Sequence, residues 1–384
     1  MNIRLNLPPQ RRVFAAFFVY SMGLGGIFPR LGDIQVQMGV GEGALGSSLI
    51  GAAVGTQITL MFAGPLIERL GYRNTLLGAI PALAIMMALA TFTTTPLQLF
   101  GVLALAGLQV GAIEIVLNVE ADRTEHLLSK RLMNRSHAFW SFGFFAAGLA
   151  GAIAKQLGVS PQMHLAAMVP LISLGTYMAL ATFNPAPARP TEEGERPKFV
   201  RPTKGILVLV AFTLSAMLLE GAGSDWSVIY MRDVFATAPF LNAFAFAIGA
   251  FCQAVVRYFA DGFVDKFGPL RVARILILTL GFGAVFVAFA PHPAVALTGF
   301  ALMGIGTSAI FPLAMSAAAQ RTDRPASVNV AAVAQLSFIT FLIAPPMLGF
   351  VAEHIGIRFS FGIGIPLVVL SWFTIHTLAP AKPD

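Results

Sequence analysis

Twelve apolar runs recur along the 384-residue chain, and they constrain its fold more than any motif does. Each is about 20 residues or longer, enough for one α-helix to cross the ~30 Å hydrocarbon core of a bilayer. Alternation of apolar and polar residues is not sustained, so the runs do not predict a barrel. With 57% hydrophobic and 11% charged residues, the chain is predicted to be an all-α, multi-pass membrane protein. The predicted spans are residues 13–36, 44–64, 75–93, 97–119, 136–157, 161–183, 204–230, 239–261, 271–290, 293–319, 327–352 and 356–378.

Basic residues are distributed unevenly around these spans. If the N-terminus is placed in the cytoplasm, 21 of the 25 Lys and Arg residues fall in cytoplasmic segments, Arg257 among them. Basic residues collect on the inner side of membrane proteins, so we expect both termini to be cytoplasmic. The net charge of +7 belongs to these short segments and not to one face of a soluble fold, which argues against a nucleic-acid partner.

An internal repeat divides the chain into two halves. Residues Gly64–Arg73 read GPLIERLGYR, and residues Asp261–Arg271 read DGFVDKFGPLR, at an offset of 197. The same offset places Gly107 on Gly304. A polar, Pro-rich segment between the halves is predicted to be an extended cytoplasmic linker. Two parallel repeats of this kind are typical of transporters that work by alternating access, as two pseudo-symmetric six-helix bundles. The predicted units are residues 1–183, the linker 184–203, and residues 204–384.

GPLIERLGYR resembles the loop signature of the major facilitator superfamily, with Glu68 in place of the usual Asp. The resemblance covers essentially the whole chain and implies the twelve-helix fold of that superfamily. The acid and base of the signature can bridge helix ends across the two halves in one state and release them in another. The predicted gating residues are Gly64, Glu68, Arg69, Gly71 and Arg73, with Asp261, Asp265 and Lys266 in the second copy.

Three further stretches resemble the fucose-permease-like branch and its bacterial MosC-like members. They are GAIEIVLNVEA at 111–121, SHAFWSFG at 136–143 and EGAGSDWSVIYMRD at 220–233. The resemblance implies a proton-coupled carrier of a small sugar-like or polyol-like solute in a bacterial inner membrane. One feature departs from the branch: fucose permease carries an acid in its first span, whereas residues 25–29 here read GGIFP.

Glu114 is the first candidate for a functional acid. Gly107, Gly111, Glu114 and Asn118 are spaced four, three and four residues apart, so they share one helix face. A carboxylate in such an apolar run is costly unless it faces a polar cavity or a partner. Low dielectric favours the neutral acid, which suits a proton carrier. The alternative is a structural Glu that a neighbouring helix satisfies by hydrogen bonds.

The residues around the next loop extend this candidate site. Asn118 can bind a solute hydroxyl or join two helices. His137 opens the fifth span, where we expect it near Asn118 and Glu120, either in a proton relay or as a helix-end histidine. Trp140 can stack on a sugar ring or lie at the membrane interface.

A second acid, Glu220, precedes Gly221 and Gly223 in the seventh span. Glycines beside an acid are typical of a helix that unwinds at a cavity, although a structural role is equally open. Paired amides from both halves suit polyol hydroxyls, which need donors and acceptors together. Asp225 can instead belong to an outer gate. The remaining candidates for the solute cavity are Gln57, Gln253, Tyr20, Gln335 and Asp225.

The sequence carries no nucleotide-binding loop, catalytic motif or metal-ligand spacing, so we predict no enzyme activity, cofactor or metal. The predicted function is secondary active transport of a small polar solute, with protons as the coupling ion. Its expected partners are the solute and the lipid bilayer, and nothing in the sequence demands more than a monomer. Two alternatives stay open: an efflux transporter of amphipathic compounds, and a non-transporting membrane sensor.

Overall fold

The computed structural model describes residues 7–188 and 202–379, apart from the side chains of residues 326 and 327. These residues form helices and no strand, and twelve helical segments are long and apolar enough to cross a membrane, which confirms the predicted fold. Spans 1 to 12 are Pro9–Met38, Glu42–Phe62, Tyr72–Ala90, Pro96–Leu128, Met133–Gln156, Pro161–Leu180, Lys204–Phe235, Pro239–Phe267, Pro269–Ala288, Pro293–Ala319, Val328–His354 and Ile357–Leu378.

Three of the spans are interrupted. The pieces of span 1 are Pro9–Gly25, a 3-10 turn Phe28–Arg30, and Leu31–Met38; those of span 10 are Pro293–Thr307 and Ile310–Ala319; those of span 12 are Ile357–Gly362, Gly364–Thr374 and a 3-10 turn Ile375–Leu378. A short helix, Gly64–Leu70, lies between spans 2 and 3, and the helix of span 11 begins at Ala326. Interrupted helices in membrane proteins leave backbone groups that need other partners.

Helix starts in this chain follow local sequence signals. Spans 1, 4, 6, 8, 9 and 10 each begin with proline, which lacks the N–H that a first helical turn leaves unpaired. Thr95, Ser160 and Thr203 cap the next helices by accepting a hydrogen bond from a backbone N–H three residues on. The sequence therefore marks where most spans begin.

The repeat predicted from the sequence is present in the backbone. Gly71 and Gly268, 197 residues apart, have nearly the same conformation, with φ of 78° and 79° and ψ of 150° and 155°. A Cβ on Gly107 would lie 2.1 Å from the Ala52 carbonyl oxygen, and one on Gly304 would lie 2.1 Å from the Gly249 carbonyl oxygen. Both helix crossings therefore need glycine at the same repeat position.

Most of the predicted linker, residues 189–201, lies outside the described residues. The segment just after span 6 is fixed to the first half by three side chains. Glu120 accepts hydrogen bonds from the Ala186 N–H at 3.0 and 3.2 Å, Arg12 donates to the Thr182 carbonyl at 2.9 Å, and Arg73 donates to the Ala181 carbonyl. Glu120 therefore faces the start of the linker and not His137, which corrects that expectation.

The two halves meet differently at their two ends. We call the end that carries loops 63–71 and 268 the motif side, and the other end the opposite side. Spans 5 and 8 pack together, as do spans 2 and 11. Span 1 packs against span 7 through its segments Phe28–Arg30 and Leu31–Met38, which lie on the opposite side.

Candidate functional site

Span 4 brings Glu114 to the first span. Glycines 107 and 111 allow close contact with span 2, because a Cβ on either would meet backbone atoms of that span. One turn further on, Oε1 of Glu114 accepts a hydrogen bond from the Tyr20 hydroxyl at 3.0 Å. The side chain therefore points into the bundle, where it is partly buried.

Asn118 extends this contact toward span 5. Its Nδ2 donates to Glu114 Oε2 at 2.8 Å, and its Oδ1 lies 3.1 Å from His137 Nε2. Because the Asn118 oxygen can only accept, His137 donates from Nε2, which fixes its tautomer. The predicted grouping of Glu114, Asn118 and His137 is thus present, and Tyr20 belongs to it as well. We call these four residues the acid cluster.

A second polar group joins the two halves beside this cluster. Ser141 of span 5 donates to Gln253 Oε1 at 3.0 Å and accepts from Arg257 Nη1 at 3.1 Å. The Arg257 Nη2 atom lies 3.9 Å from Glu220 Oε1, a loose ion pair. Arg257 is 7% exposed, so it lies in the bundle and not in the cytoplasmic segment to which the sequence count assigned it.

A break in span 10 explains why the buried Arg257 of span 8 is tolerated. Pro312 has no N–H, so the Ser308 carbonyl four residues earlier lacks its usual helical donor. Arg257 Nε supplies the missing hydrogen bond at 2.8 Å. An unpaired carbonyl in the hydrocarbon region would cost several kcal/mol, so this contact stabilises both the break and the buried guanidinium.

A cavity with a volume of about 50 Å³ opens next to this second group. Its polar walls are Glu220, Ser224, Gln253 and Thr307, and its apolar walls come mainly from aromatic rings and Met303. The lining residues are Trp140, Phe144, Leu219, Glu220, Gly223, Ser224, Ala245, Phe246, Gly249, Ala250, Gln253, Phe300, Met303, Gly304 and Thr307. Trp140 thus lies in a cavity wall and not in an interfacial belt, stacked on Phe144 with ring centroids 4.0 Å apart.

Four predicted cavity residues are not part of this lining: Tyr20 belongs to the acid cluster, and the other three lie elsewhere. Gln57 is half-buried in span 2, and Asp225 is half-buried in span 7. Gln335 is exposed in span 11, in line with Ile339 and Ile343, which are 44% and 54% exposed. Of the amides predicted to pair across the halves, Gln253 lines the cavity and Gln57 does not.

The two copies of the loop signature behave differently. Asp265 pairs with Arg131 at 2.9 Å, and Asp261 accepts a hydrogen bond from Asn134, both across the two halves. Glu68 and Arg69 are exposed and form no ion pair within the described part of the chain. The predicted bridging is therefore present in the second copy of the loop. Lys266 lies over the Phe267 ring at 5.2 Å.

The family model of the Major Facilitator Superfamily matches residues 13–338 and 208–383, which together span nearly the whole chain. The chain belongs to this superfamily. It is a membrane transporter and not an enzyme.

Similar proteins agree with this assignment. The transporter is 29% identical to the uncharacterized transporter y4wD of Sinorhizobium fredii, over 94% of this chain and 96% of that one. It is 23% identical to the membrane protein MosC of Rhizobium meliloti, over 96% and 90%. A mutant of the nucleoside transporter NupG superposes with a TM-score of 0.75 at 13% identity, over 96% and 100% of the chains. A variant of the E. coli fucose:proton symporter FucP gives 0.61 at 17% identity, over 97% and 98%.

Sequence reasoning missed Arg257 and Ser141 in this transporter. A signal for Arg257 was available: it follows Gln253 by four residues, one helical turn, within an otherwise apolar run. Ser141 carried no comparable signal, because a serine in a Gly-rich helix commonly bonds its own backbone. The Ser141 hydroxyl does approach the His137 carbonyl at 3.2 Å, but it also bridges the halves.

Proposed function

We propose that this protein is a proton-coupled secondary transporter of a small, sugar-like or polyol-like solute in a bacterial inner membrane. Both termini would face the cytoplasm, and the protein would act as a monomer. Glu114 would carry the proton, and the cavity beside Glu220 and Gln253 would hold the solute. The NupG and FucP names support a polar solute, and the FucP name supports a proton, for those proteins.

The environment of Glu114 carries this proposal. Both carboxylate oxygens accept from neutral donors, Tyr20 and Asn118, and no cation forms an ion pair with them among the described residues. Such an acid can take up or release a proton without breaking an ion pair. It is half-buried, which is compatible with a water path. An acid with these features inside a membrane span is a candidate for proton coupling.

The cavity chemistry supports a polyhydroxylated solute. Glu220 accepts hydrogen bonds, Gln253 and Thr307 can donate and accept, and Trp140 offers a flat apolar face. Sugar and polyol hydroxyls need both donors and acceptors, while their C–H faces pack on aromatic rings. Few polar groups in a mostly apolar wall are typical of small-molecule sites.

The test is uptake by purified protein in liposomes, using labelled L-fucose, myo-inositol and uridine as probes, with and without an inward proton gradient. We expect gradient-driven accumulation of at least one probe. Glu114→Gln should abolish the accumulation while leaving solute exchange without a gradient. Glu120→Gln is the matched control, because Glu120 lies in the same span but contacts the Ala186 backbone. Full gradient-driven accumulation by Glu114→Gln would contradict the proton site.

An exporter of amphipathic compounds is the second candidate, because Phe144, Phe246, Phe300 and Met303 form much of the cavity wall. The same liposomes can be loaded with ethidium. Ethidium efflux that is indifferent to Glu114→Gln, together with no uptake of the three polar probes, would favour the exporter. Binding of a probe without any flux would instead indicate a sensor.

A further inference from the structure

The indole of Trp140 stands between the acid cluster and the cavity. Its ring forms part of the cavity wall, and its Nε1 atom is buried with no hydrogen-bond partner in the described part of the chain. A buried indole N–H normally finds an acceptor, because leaving it unpaired costs free energy. The unpaired donor therefore requires an explanation.

The Tyr20 hydroxyl is the acceptor within reach. It lies beside the Trp140 indole N–H, but the two do not form a hydrogen bond of good geometry. Tyr20 is 1% exposed, and its hydroxyl donates to Glu114 Oε1 at 3.0 Å. The order Trp140, Tyr20, Glu114 thus runs from the cavity wall to the acid, and the Tyr20 hydroxyl donates to the carboxylate.

We propose that Tyr20 and Trp140 are positioning residues that couple proton binding at Glu114 to solute binding in the cavity, an inference that rests on the proposed function. While Glu114 is a carboxylate, it draws the Tyr20 proton toward Oε1, which makes the phenol oxygen a better acceptor for the indole N–H. When a proton from water binds to Glu114, this pull is lost, and Tyr20 keeps its own proton. Trp140 can then donate to a solute hydroxyl.

This order of events gives the coupling its sign. A proton on Glu114 releases the indole donor, and a solute that uses that donor favours the protonated acid in return. Proton and solute therefore bind together, which is the behaviour of a symporter. Because the indole N–H is fixed in the plane of its ring, the Trp140 ring itself must turn against Phe144, on which it is stacked, for the donor to leave Tyr20 and reach the solute.

Few other titratable or charged groups face Glu114. Span 1 contributes Tyr20 and span 5 contributes His137, with the charge of Arg257 acting on His137 from span 8. Spans 2 and 3 also pack against span 4, and in the described part of the chain they place no charge beside the acid. A pH response of Trp140 can therefore be assigned by testing Glu114, His137 and Tyr20.

Intrinsic fluorescence of the full-length protein in lipid nanodiscs tests the proposal without a solute. The chain has three tryptophans, and subtracting the spectrum of Trp140→Phe isolates Trp140. We expect the Trp140 emission maximum to shift between mildly alkaline and mildly acidic pH. The shift should be lost in Glu114→Gln and in Tyr20→Phe, and kept in His137→Gln. Tyr258→Phe is the matched control, because Tyr258 contacts Arg135 and not the acid cluster.

The outcomes separate this inference from the proposed function. A shift that is lost in Glu114→Gln but kept in Tyr20→Phe overturns the Tyr20 link and leaves Glu114 as the proton site. The same conclusion follows if the wild type shows no Trp140 shift while infrared spectra show that Glu114 titrates. A shift kept in Glu114→Gln overturns both. If Tyr20→Phe does not fold, Glu114→Asp provides the test, because it withdraws the acid from Tyr20 by one methylene. Its carboxyl band should still titrate while the Trp140 shift decreases; an undiminished shift overturns the link.

Discussion

The two sides of the bundle are closed by different chemistry. On the opposite side, charged side chains of the second half bind backbone groups of the first. Arg232 donates to the Gly32 carbonyl at 2.9 Å, and Glu353 accepts from the Gly43 N–H at 2.7 Å. On the motif side, the ion pair of Arg131 and Asp265 joins two side chains that are 67% and 61% exposed.

Glycines make the contact on the opposite side tight. A Cβ on Gly46 would lie 2.4 Å from the Pro345 carbonyl oxygen, and one on Gly349 would lie 2.5 Å from the Glu42 carbonyl oxygen. Backbone therefore packs on backbone between spans 2 and 11. Between spans 1 and 7, only the segments of span 1 on the opposite side make extensive contact among the described residues. The difference indicates a conformation closed on the opposite side and looser on the motif side.

Distances between spin labels can measure both sides. On a Cys252→Ala background, which removes the single cysteine, labels at the exposed residues Val36 and Phe289 report on the opposite side. Labels at Leu127 and Phe267, also exposed, report on the motif side. A change in one pair and not in the other separates gating from general loss of structure.

The largest effect is expected from Gly46→Ala. The added Cβ would meet the Pro345 backbone, which cannot move like a flexible side chain, so the closed contact between spans 2 and 11 should not form. We expect the Val36–Phe289 distance distribution to move to longer values. Gly101→Ala is the matched control, because no atom lies within 4 Å of its added Cβ. An unchanged distribution in Gly46→Ala would contradict the assigned role of this contact.

Arg232→Ala should have the next largest effect. It removes hydrogen bonds to the Gly32 carbonyl and to Gln35 Oε1, both across the halves. A charge-assisted hydrogen bond contributes about 1.5–3 kcal/mol, so we expect a substantial open population on the opposite side. Arg358→Ala serves for comparison, because Arg358 donates to the Ala290 carbonyl within its own half and should leave the label distances unchanged.

Glu353→Gln should have a smaller effect. The helix of span 2 has no side-chain cap of its own at Gly41, and the carboxylate of Glu353 favours the positive end of that helix. Replacing the charge by an amide keeps an acceptor and removes about 0.3–1 kcal/mol of interaction with the helix dipole. We expect a minor shift in the Val36–Phe289 distribution; a shift as large as that of Arg232→Ala would show that more than the dipole is involved.

Arg131→Ala should have the smallest effect. Exposed ion pairs contribute below about 1 kcal/mol, because water screens both charges. The Leu127–Phe267 distances and the midpoint of thermal unfolding should change little. A large opening of the motif side would mean that the exposed pair, and not the packing of spans 5 and 8, holds this side together.

Much of the architecture could be predicted from the sequence because the bilayer imposes it. Span lengths and the Gly71 and Gly268 turns are local properties of the chain, and the 197-residue repeat is visible when two stretches of the sequence are compared. The acid cluster was largely predictable too, because Glu114 and Asn118 share a helix face and His137 lies near the start of the next span. Tyr20 was predicted only as a cavity residue.

The contacts between the halves could not be predicted in this way. Charge counting placed Arg257 at the membrane surface. A single sequence does not show that Pro312, 55 residues later, leaves the Ser308 carbonyl without a helical donor, so that Arg257 can bind it inside the bundle. Gln335 was predicted to line a cavity because its residue type suits one. In the structure Gln335 lies on an exposed face of its helix, and which face is exposed depends on how spans 2, 7 and 11 pack.

The hydrogen bond from Arg257 to the Ser308 carbonyl has a consequence for the evolution of this chain. A mutation of Arg257 alone would strand the carbonyl that Pro312 leaves open, and a mutation of Pro312 alone would give Ser308 a donor that competes with the guanidinium. A substitution at either position alone would destabilise this contact, so we expect the arginine and the proline to be gained and lost together among relatives of this protein.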